Sequence, residues 1–398
     1  MPDSRTRFGA FIAPFHPVDT NPALALQRDL ELVSFMDELG YDEAWIGEHH
    51  SAGYEIIASP EVFIAAAAER TKHIKLGTGV SSLPYHHPLM LADRINQLDY
   101  MTRGRVMFGV GPGALPSDAF MMGIDPLKQR DMMDEAIEVL VPLLRGETVT
   151  AKTDWFELRE ARLQLPPYTL PHVEICVASQ VSPAGARAAG KHGIGLLSIG
   201  ATSTGGFNAL AMNWEICTNR AKEFERKVQR SQWRLVGPMH IAETKERAIE
   251  DVRFGLEKWL YYFQEVAALP LAPGGSFESA IDALTSSGLA VIGSPEDAIA
   301  QLERLEEQSG GYGAFLFMDH NWADWSRKKA SYELFAHSVM PRFQGLNTPR
   351  EESMNWSASN RPQFMGAVGN AINQELQKHL ADVAAGNATE KKNPKASA

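Results

Sequence analysis

Short apolar runs alternate along the chain with longer segments in which apolar residues recur every three or four positions. The short runs predict β-strands that are buried on both faces, and the longer segments predict amphipathic helices. Eight strand–helix units are what a closed parallel barrel requires, so the sequence predicts an α/β fold, a (β/α)8 TIM-like barrel. The predicted strands are residues 8–13, 43–47, 73–80, 106–110, 173–177, 194–199, 235–241 and 313–318.

Capping signals mark several helix ends. Gly40 follows a periodic segment as a C-cap glycine would. Ser182 and Pro183 predict that the helix after the fifth strand begins with a serine cap.

Residues 147–167 are predicted to form a short polar excursion. Helices are predicted at residues 22–39, 60–70, 89–101 and 126–144.

Two segments are longer than the strand–helix repeat requires. Residues 202–230 follow the sixth strand and residues 254–289 follow the seventh, and insertions at the functional rim of a barrel commonly form pocket walls or lids. Composition changes after the predicted barrel domain, residues 1–345. Residues 346–398 predict an extension with one amphipathic helix at 363–383, a candidate arm for packing on a second subunit, and a disordered end.

Composition excludes some classes of function. The chain is 44% hydrophobic and 22% charged, which is ordinary for a globular protein, and its formal net charge of -11 argues against nucleic acid as a partner. No run reaches the roughly 18 to 20 apolar residues of a membrane span, and the N-terminus lacks the apolar core of a secretory signal. We therefore expect a cytoplasmic protein without membrane contact. Cys176 and Cys217 are expected to be buried free thiols.

Titratable side chains gather where the second predicted strand ends. Residues 43–50 begin as an apolar run and finish in Glu48, His49 and His50. A histidine there is either a general acid or base, or a structural side chain held by hydrogen bonds. Successive strand residues face opposite ways, so at most one of the two histidines points into the barrel mouth. Glu48 either orients a histidine or forms a buried pair with an arginine.

Three other segments each allow a functional and a structural interpretation. His86 and His87 could join the first histidine pair around a metal, but neither pair has the i, i+4 spacing of zinc proteases, and no metal is predicted. Residues 179–183 join a strand to a helix N-terminus, which suits either a phosphate or an ordinary N-cap. The aromatic run at residues 259–263 either lines an apolar pocket or packs in the core.

Taken together, these segments resemble the bacterial luciferase-like flavin monooxygenases. The similarity covers residues 7–342, and three of its segments most resemble the limonene 1,2-monooxygenase branch, namely residues 41–45, 81–88 and 109–116. The motifs that carry the resemblance are Glu48-His49-His50, Leu76-Gly77-Thr78-Gly79 leading to Leu83-Pro84, His87-Pro88, Leu98-Asp99, Gly104-Arg105 and Phe108-Gly109-Val110-Gly111.

The resemblance implies a two-component flavin-dependent monooxygenase. Reduced FMN from a separate NAD(P)H:flavin reductase would react with O2 to give a flavin hydroperoxide. Oxygen would then pass to a hydrophobic small molecule, for which a terpene-like cyclic or alkenyl substrate is expected, by epoxidation or Baeyer–Villiger oxidation. The alternatives on the same barrel are a deazaflavin-dependent oxidoreductase and a non-catalytic flavin-binding relative. Family analogy also implies a homodimer.

The resemblance also implies roles for individual residues. His49 matches the family's catalytic histidine, and Gly79 with Val80 matches the backbone pair, often joined by a non-prolyl cis peptide, that lies against the flavin ring. Gly111 stands where the luciferase α chain has a reactive cysteine, and Pro112 stands where it has a phosphate-binding arginine, which argues against light emission. The predicted cofactor-binding residues are Gly79, Val80, Ser81, Met107, Gly111, Ser179, Gln180 and Ser182, and the predicted substrate-pocket residues are Phe11, Phe15, Trp259 and Tyr262.

Overall fold

Parallel strands close into a barrel in the computed structural model, which describes residues 5–13, 15–267 and 276–390. Within these residues eight strands each pair in parallel with the next along the chain, and the last pairs with the first. The predicted TIM barrel is therefore confirmed. The strands are β1 Arg7–Ile12, β2 Glu43–Ile46, β3 Lys75–Thr78, β4 Val106–Gly111, β5 Glu174–Ser179, β6 Gly195–Ser198, β7 Trp233–Gly237 and β8 Ala314–Met318.

Helices surround this barrel and fill the predicted insertions. The insertion after β6 is mostly one long helix, α7, and the insertion after β7 contains α9, a π-helical turn at Tyr262–Val266, and α10. Residues 268–275 of that insertion lie outside the described residues. The helices are α1 Pro22–Leu39, α2 Pro60–Ala68, α3 Pro88–Thr102, α4 Pro116–Met121, α5 Gln129–Leu144, α6 Ala184–His192, α7 Thr204–Glu223, α8 Lys245–Val252, α9 Leu256–Tyr261, α10 Phe277–Ser286, α11 Pro295–Ser309, α12 Trp325–Ser338 and α13 Met340–Gln344.

The seventh predicted strand, residues 235–241, was wrong in extent. The chain leaves the barrel at Pro238, which has no N–H to donate to a strand ladder. The following residues, Met239–Ile241, pair with Val291–Gly293 in a separate two-stranded sheet. An apolar run on both sides of one proline therefore gives two strands in different sheets.

Two local predictions also need correction. The polar excursion at 147–167 contains an antiparallel hairpin of Val149–Lys152 and Glu157–Ala161, whose mostly exposed strands lack the apolar signal of the barrel strands. Helix α6 begins at Ala184 rather than being capped by Ser182 in the usual way. The hydroxyl of Ser182 accepts only a long hydrogen bond, 3.4 Å, from the backbone N–H of Ala184.

The barrel interior holds a cluster of side chains to which every strand but β3 contributes within the described residues, comprising Phe11, Trp45, Met107, Cys176, Leu197, Val236 and Leu316. β3 supplies Gly77 at this level, and a Cβ there would lie 2.6 Å from Cε3 of Trp45. The bulk of the tryptophan thus requires a glycine on the neighbouring strand. Cys176 and Cys217 are free and buried as predicted, and burial raises the pKa of each thiol to about 12.

Below this cluster, at the N-terminal end of the barrel, lies a buried ion-pair network. Arg234 is fully buried and contacts Glu43 through Nη2 at 2.9 Å and Glu174 through Nη1 at 2.6 Å. Glu43 also accepts hydrogen bonds from Arg7 Nε at 2.6 Å and from the indole N–H of Trp45 at 2.8 Å. In this fold the N-terminal end serves stability and the C-terminal end serves function.

Residues Gly345–Ala398 form a unit of their own, separate from Met1–Gln344. The unit contains α14, Thr348–Ser359, and α15, Arg361–Glu390. The predicted helix at 363–383 is therefore longer than expected, and its helical end reaches into the part predicted to be disordered; residues 391–398 lie outside the described residues. None of the helices in the described parts of the chain has both the length and the apolar character that crossing a membrane requires.

Candidate active site

The C-terminal ends of the barrel strands surround a cavity of about 300 Å³. Its aromatic walls include all four residues that were predicted to form the substrate pocket. Because Trp259 and Tyr262 also pack in an adjoining buried cluster, the aromatic run at 259–263 serves both as core and as cavity wall. The larger apolar side chains of the lining include Phe11, Phe15, Leu115, Val181, Ile199, Trp259, Tyr262, Phe263, Leu289 and Met318, and the polar lining includes Glu48, His49, Glu55, Gln180, Thr202 and Asp319.

His49 is held between two carboxylates at the edge of this cavity. Its Nδ1 lies 3.2 Å from Asp118 Oδ2, and its Nε2 lies 3.2 Å from Glu55 Oε2. Burial disfavours the charged ring, but Glu55 and Asp118 outweigh that effect and raise the pKa of His49. The geometry therefore favours an imidazolium that donates from both ring nitrogens.

Asp118 is fixed by the backbone of His50 and the side chain of Ser51. One of its oxygens accepts hydrogen bonds from the hydroxyl of Ser51 at 2.5 Å and from the backbone N–H of His50 at 3.1 Å. Burial disfavours the carboxylate, but His49 and Ser51 more than compensate and lower the pKa of Asp118. This residue remains charged and lies against His49 across the pH range in which a histidine titrates.

Glu48 makes hydrogen bonds to two histidines, and among the described residues it forms no ion pair with an arginine. Its carboxylate accepts from the backbone N–H of Ser82 at 2.7 Å and lies 2.7 Å from Nε2 of His86 and 3.1 Å from Nε2 of His50. The guanidinium of Arg94 contacts the other ring nitrogen of His86, Nδ1, at 3.2 Å rather than Glu48 itself. Of the two interpretations, the orienting role is the one the structure supports, and His86 packs in its loop through this contact.

The predicted cofactor-binding residues divide into those that line the cavity and those that do not. Gly79, Val80 and Gln180 line it, and the Gly79–Val80 peptide bond is cis. A Cβ on Gly79 would lie 3.0 Å from Trp45 Cβ and 3.1 Å from Phe11 Cε2, so the backbone of Gly79 is packed closely against these two residues.

The remaining predicted cofactor residues lie behind or beside the cavity. Ser81 and Ser179 are buried, and their hydroxyl oxygens have no hydrogen-bond partner among the described residues. Met107 lies in the interior cluster, where its sulfur is 3.7 Å from Nη2 of Arg234. Gly111 ends β4, and a Cβ there would be 2.6 Å from Val80 Cγ2. Ser182 is exposed at the start of α6.

Sequence reasoning did not find Glu55 or Asp118. Glu55 lies in an irregular segment, and Asp118 lies in the six-residue helix α4, which no apolar period predicts. Pro116 at the first helical position and an acidic residue in the first turn were the only local signals available. Their pairing with His49 depends on the closure of the barrel rather than on spacing along the chain.

Comparison with known families agrees with this geometry. A family profile described as Luciferase-like monooxygenase matches residues 6–312. The chain belongs to the luciferase-like monooxygenase family. The predicted family and the predicted monooxygenase activity are confirmed.

Curated relatives within the luciferase-like monooxygenase family support the predicted branch. Limonene 1,2-monooxygenase of Rhodococcus erythropolis is 47% identical over 376 residues, covering 94% of this chain and 96% of that protein. 4-Hydroxyprotoasukamycin monooxygenase of Streptomyces nodosus subsp. asukaensis is 43% identical over 361 residues, covering 89% and 96%. These similarities confirm the limonene branch and do not favour a deazaflavin-dependent oxidoreductase.

A solved structure shares the fold. The oxygenating constituent of 3,6-diketocamphane monooxygenase from Pseudomonas putida, a type II Baeyer–Villiger monooxygenase in complex with FMN, superposes with a TM-score of 0.71 at 24% identity. The match covers 85% of this chain and 99% of that one. At this identity the comparison supports the architecture of the luciferase-like barrel only.

Proposed function

We propose that this chain is the oxygenase component of a two-component monooxygenase that uses reduced FMN and O2 to oxygenate a hydrophobic small molecule. The observation that carries the proposal is the aromatic cavity at the barrel rim, with one doubly paired histidine at its edge. A relative of 25% identity, from Acinetobacter baylyi, is named as the oxygenase component of a flavin-dependent trigonelline monooxygenase. By analogy, a separate NAD(P)H:flavin reductase would supply the reduced cofactor.

The residues at the rim fit FMN. Thr202 lines the cavity, and its buried hydroxyl has no hydrogen-bond partner in the part of the chain that the structure describes; the same holds for the hydroxyl of Ser179. Buried polar atoms are normally hydrogen-bonded, so these two suit a ligand with polar groups. Gly79 and Val80 would lie against the flavin ring, and Ser179 and Gln180, just before α6, would lie near the phosphate.

Reduced FMN supplies the electrons that activate O2, and the chain supplies a dry cavity and a proton. The aromatic walls exclude water, which protects reactive oxygen species from wasteful decay. His49 holds a proton at Nε2, beside the cavity, and is the group that we assign as general acid. Asp118 keeps the ring in one orientation through Nδ1.

The apolar lining supports a hydrophobic substrate. Few polar atoms face the cavity, so a substrate with several hydroxyl or charged groups would lose hydrogen bonds to water without replacing them. Two well-covered relatives are named for limonene and for 4-hydroxyprotoasukamycin. We propose a cyclic or alkenyl, terpene-like molecule as the substrate, oxygenated by epoxidation or Baeyer–Villiger oxidation.

Anaerobic titration of the purified chain tests the cofactor. Reduced FMN should bind and reduced deazaflavin should not; the reverse result would contradict the proposal. After rapid mixing of the chain and reduced FMN with O2, product should form from limonene or a cyclic ketone. A chain that only releases hydrogen peroxide, whichever hydrophobic substrate is added, would instead be a non-catalytic flavin-binding relative.

We also propose that the chain forms a homodimer through α15. Apolar side chains on one face of this helix are all exposed within the described residues, and such a stripe is typical of helices that pack on another helix. They are Phe364, Met365, Val368, Ile372, Leu376, Leu380 and Val383.

Charges on that stripe should convert the dimer into a monomer. We expect Ile372→Asp with Leu376→Asp to halve the mass measured by light scattering, because burying two carboxylates in an apolar contact is costly. Gln374→Asp with Gln377→Asp, on the opposite face, is the matched control and should leave the mass unchanged. An unchanged mass in the stripe variant would place the dimer interface elsewhere.

A further inference from the structure

Glu55 joins His49 to the insertion that follows β7. It is 8% exposed, and its two oxygens contact different residues. Oε2 lies 3.2 Å from Nε2 of His49, and Oε1 accepts a hydrogen bond of 2.6 Å from the hydroxyl of Tyr262. Tyr262 is fully buried in the π-helical turn and is 207 positions away along the chain.

The two contacts of Glu55 fix the orientation of its carboxylate. A buried carboxylate is stable only when its oxygens are paired, and here each oxygen has its own donor. Burial and the adjacent Glu55 raise the pKa of Tyr262 well above its usual value, so the phenol remains a hydrogen-bond donor at every working pH. With Oε1 held by Tyr262, the other oxygen is directed towards Nε2 of His49.

We propose that Glu55 is a positioning residue for the oxygenation reaction. Its carboxylate holds the Nε2–H of His49 in place and stabilises the protonated ring, while Tyr262 holds Glu55 in place. The inference rests on the proposed role of His49 as general acid. Asp118 already orients the ring through Nδ1, so the contribution of Glu55 concerns the nitrogen that faces the cavity wall.

The groups that face His49 come from three parts of the chain. Glu55 lies in the segment after β2, Asp118 comes from α4, and Glu48 adds a more distant negative charge from the end of β2. Tyr262 faces Glu55 from the insertion, and Tyr85 lies near Asp118. Removing the charge of Glu55 leaves Asp118 as the one direct carboxylate partner of His49 among the described residues.

The test is a titration of His49 in the flavin-free chain. The chain is labelled with ¹⁵N-histidine, and His49→Gln assigns the resonance. In Glu55→Gln we expect the pKa of His49 to fall by about one unit or more, because a carboxylate at hydrogen-bond distance stabilises the imidazolium. Glu55→Asp should restore most of the pKa of His49. Tyr262→Phe keeps the charge of Glu55 but frees its carboxylate, so it should lower the pKa of His49 less than Glu55→Gln does.

Glu61→Gln is the matched control, since Glu61 is a buried carboxylate that pairs with Ser59 and Arg94 rather than with His49. It should leave the titration of His49 unchanged. An unchanged pKa in Glu55→Gln would overturn the inference, whatever its effect on stability.

The pH profile of the loaded enzyme gives the second readout. A reaction that needs protonated His49 loses activity as pH rises through the pKa of that residue, so Glu55→Gln should move the alkaline limb to lower pH. A lowered pKa of His49 together with an unchanged pH dependence of activity would also overturn the positioning role. A wild-type chain that oxygenates nothing, but shows the shifted titration in Glu55→Gln, would instead refute the proposed function.

Discussion

His49→Ala is expected to reduce product formation by about 10²- to 10⁴-fold, the usual contribution of a positioned general acid or base. Binding of reduced FMN should change little, because His49 lies at the edge of the cavity and the backbone at Gly79 and Val80 is untouched. The enzyme would then consume reduced flavin and O2 but release hydrogen peroxide instead of product.

The neighbouring histidine provides a matched control. His50 contacts Glu48 and is not among the residues that line the cavity, so His50→Ala should retain product formation to within about tenfold. Product is quantified with an added flavin reductase, and flavin binding is measured anaerobically by fluorescence. Equal losses in the two variants would indicate a structural effect, and unchanged turnover in His49→Ala would remove this residue from the proposed mechanism.

The features of the fold that follow local rules could be predicted from the sequence. Helix α1 spans Pro22–Leu39 as predicted, because Asn21 caps its start and Gly40 ends it with a φ of 82°. The barrel followed from the alternation of strands and helices, since parallel strands need crossover connections of consistent hand. The placement of His49 on the cavity followed in turn from its position at the end of β2.

Features that depend on contacts between distant segments could not be predicted. Nothing local identifies Glu55 or Asp118 as partners of His49, since each belongs to a segment without regular periodicity. Met107 and Ser182 were predicted to bind the cofactor from the family resemblance, but Met107 packs in the barrel interior and Ser182 is exposed at the start of α6. The family resemblance therefore predicted which end of the barrel carries the cavity more accurately than it predicted which side chains line it.

The pairing of Arg234 with Glu43 is a further contact without a local signal, because the residues are 191 positions apart. Breaking this pair should lower the stability of the protein more than any other substitution named above. Arg234→Leu would leave Glu43 buried with Arg7 and Trp45 as its remaining partners, and we expect the free energy of unfolding to fall by about 3–5 kcal/mol. Arg342→Ala, which breaks an exposed ion pair with Glu303, should cost less than about 1 kcal/mol and serves as the control.

The acid dependence of unfolding distinguishes this ion pair from simple loss of packing. Burial alone would raise the pKa of Glu43, but Arg234 and the other donors lower it from 4.5 to about 2. Because the folded pKa is depressed, the pair stabilises the protein above pH 4.5, and this contribution is lost as pH falls towards 2. In Arg234→Leu burial dominates and the pKa of Glu43 should rise, so acidification should instead relieve the destabilisation. Urea unfolding of both proteins at pH 7 and pH 4 measures the difference between their free energies of unfolding, and this difference should be smaller at pH 4. A difference that does not change with pH would mean that Arg234 contributes through packing and not through its charge.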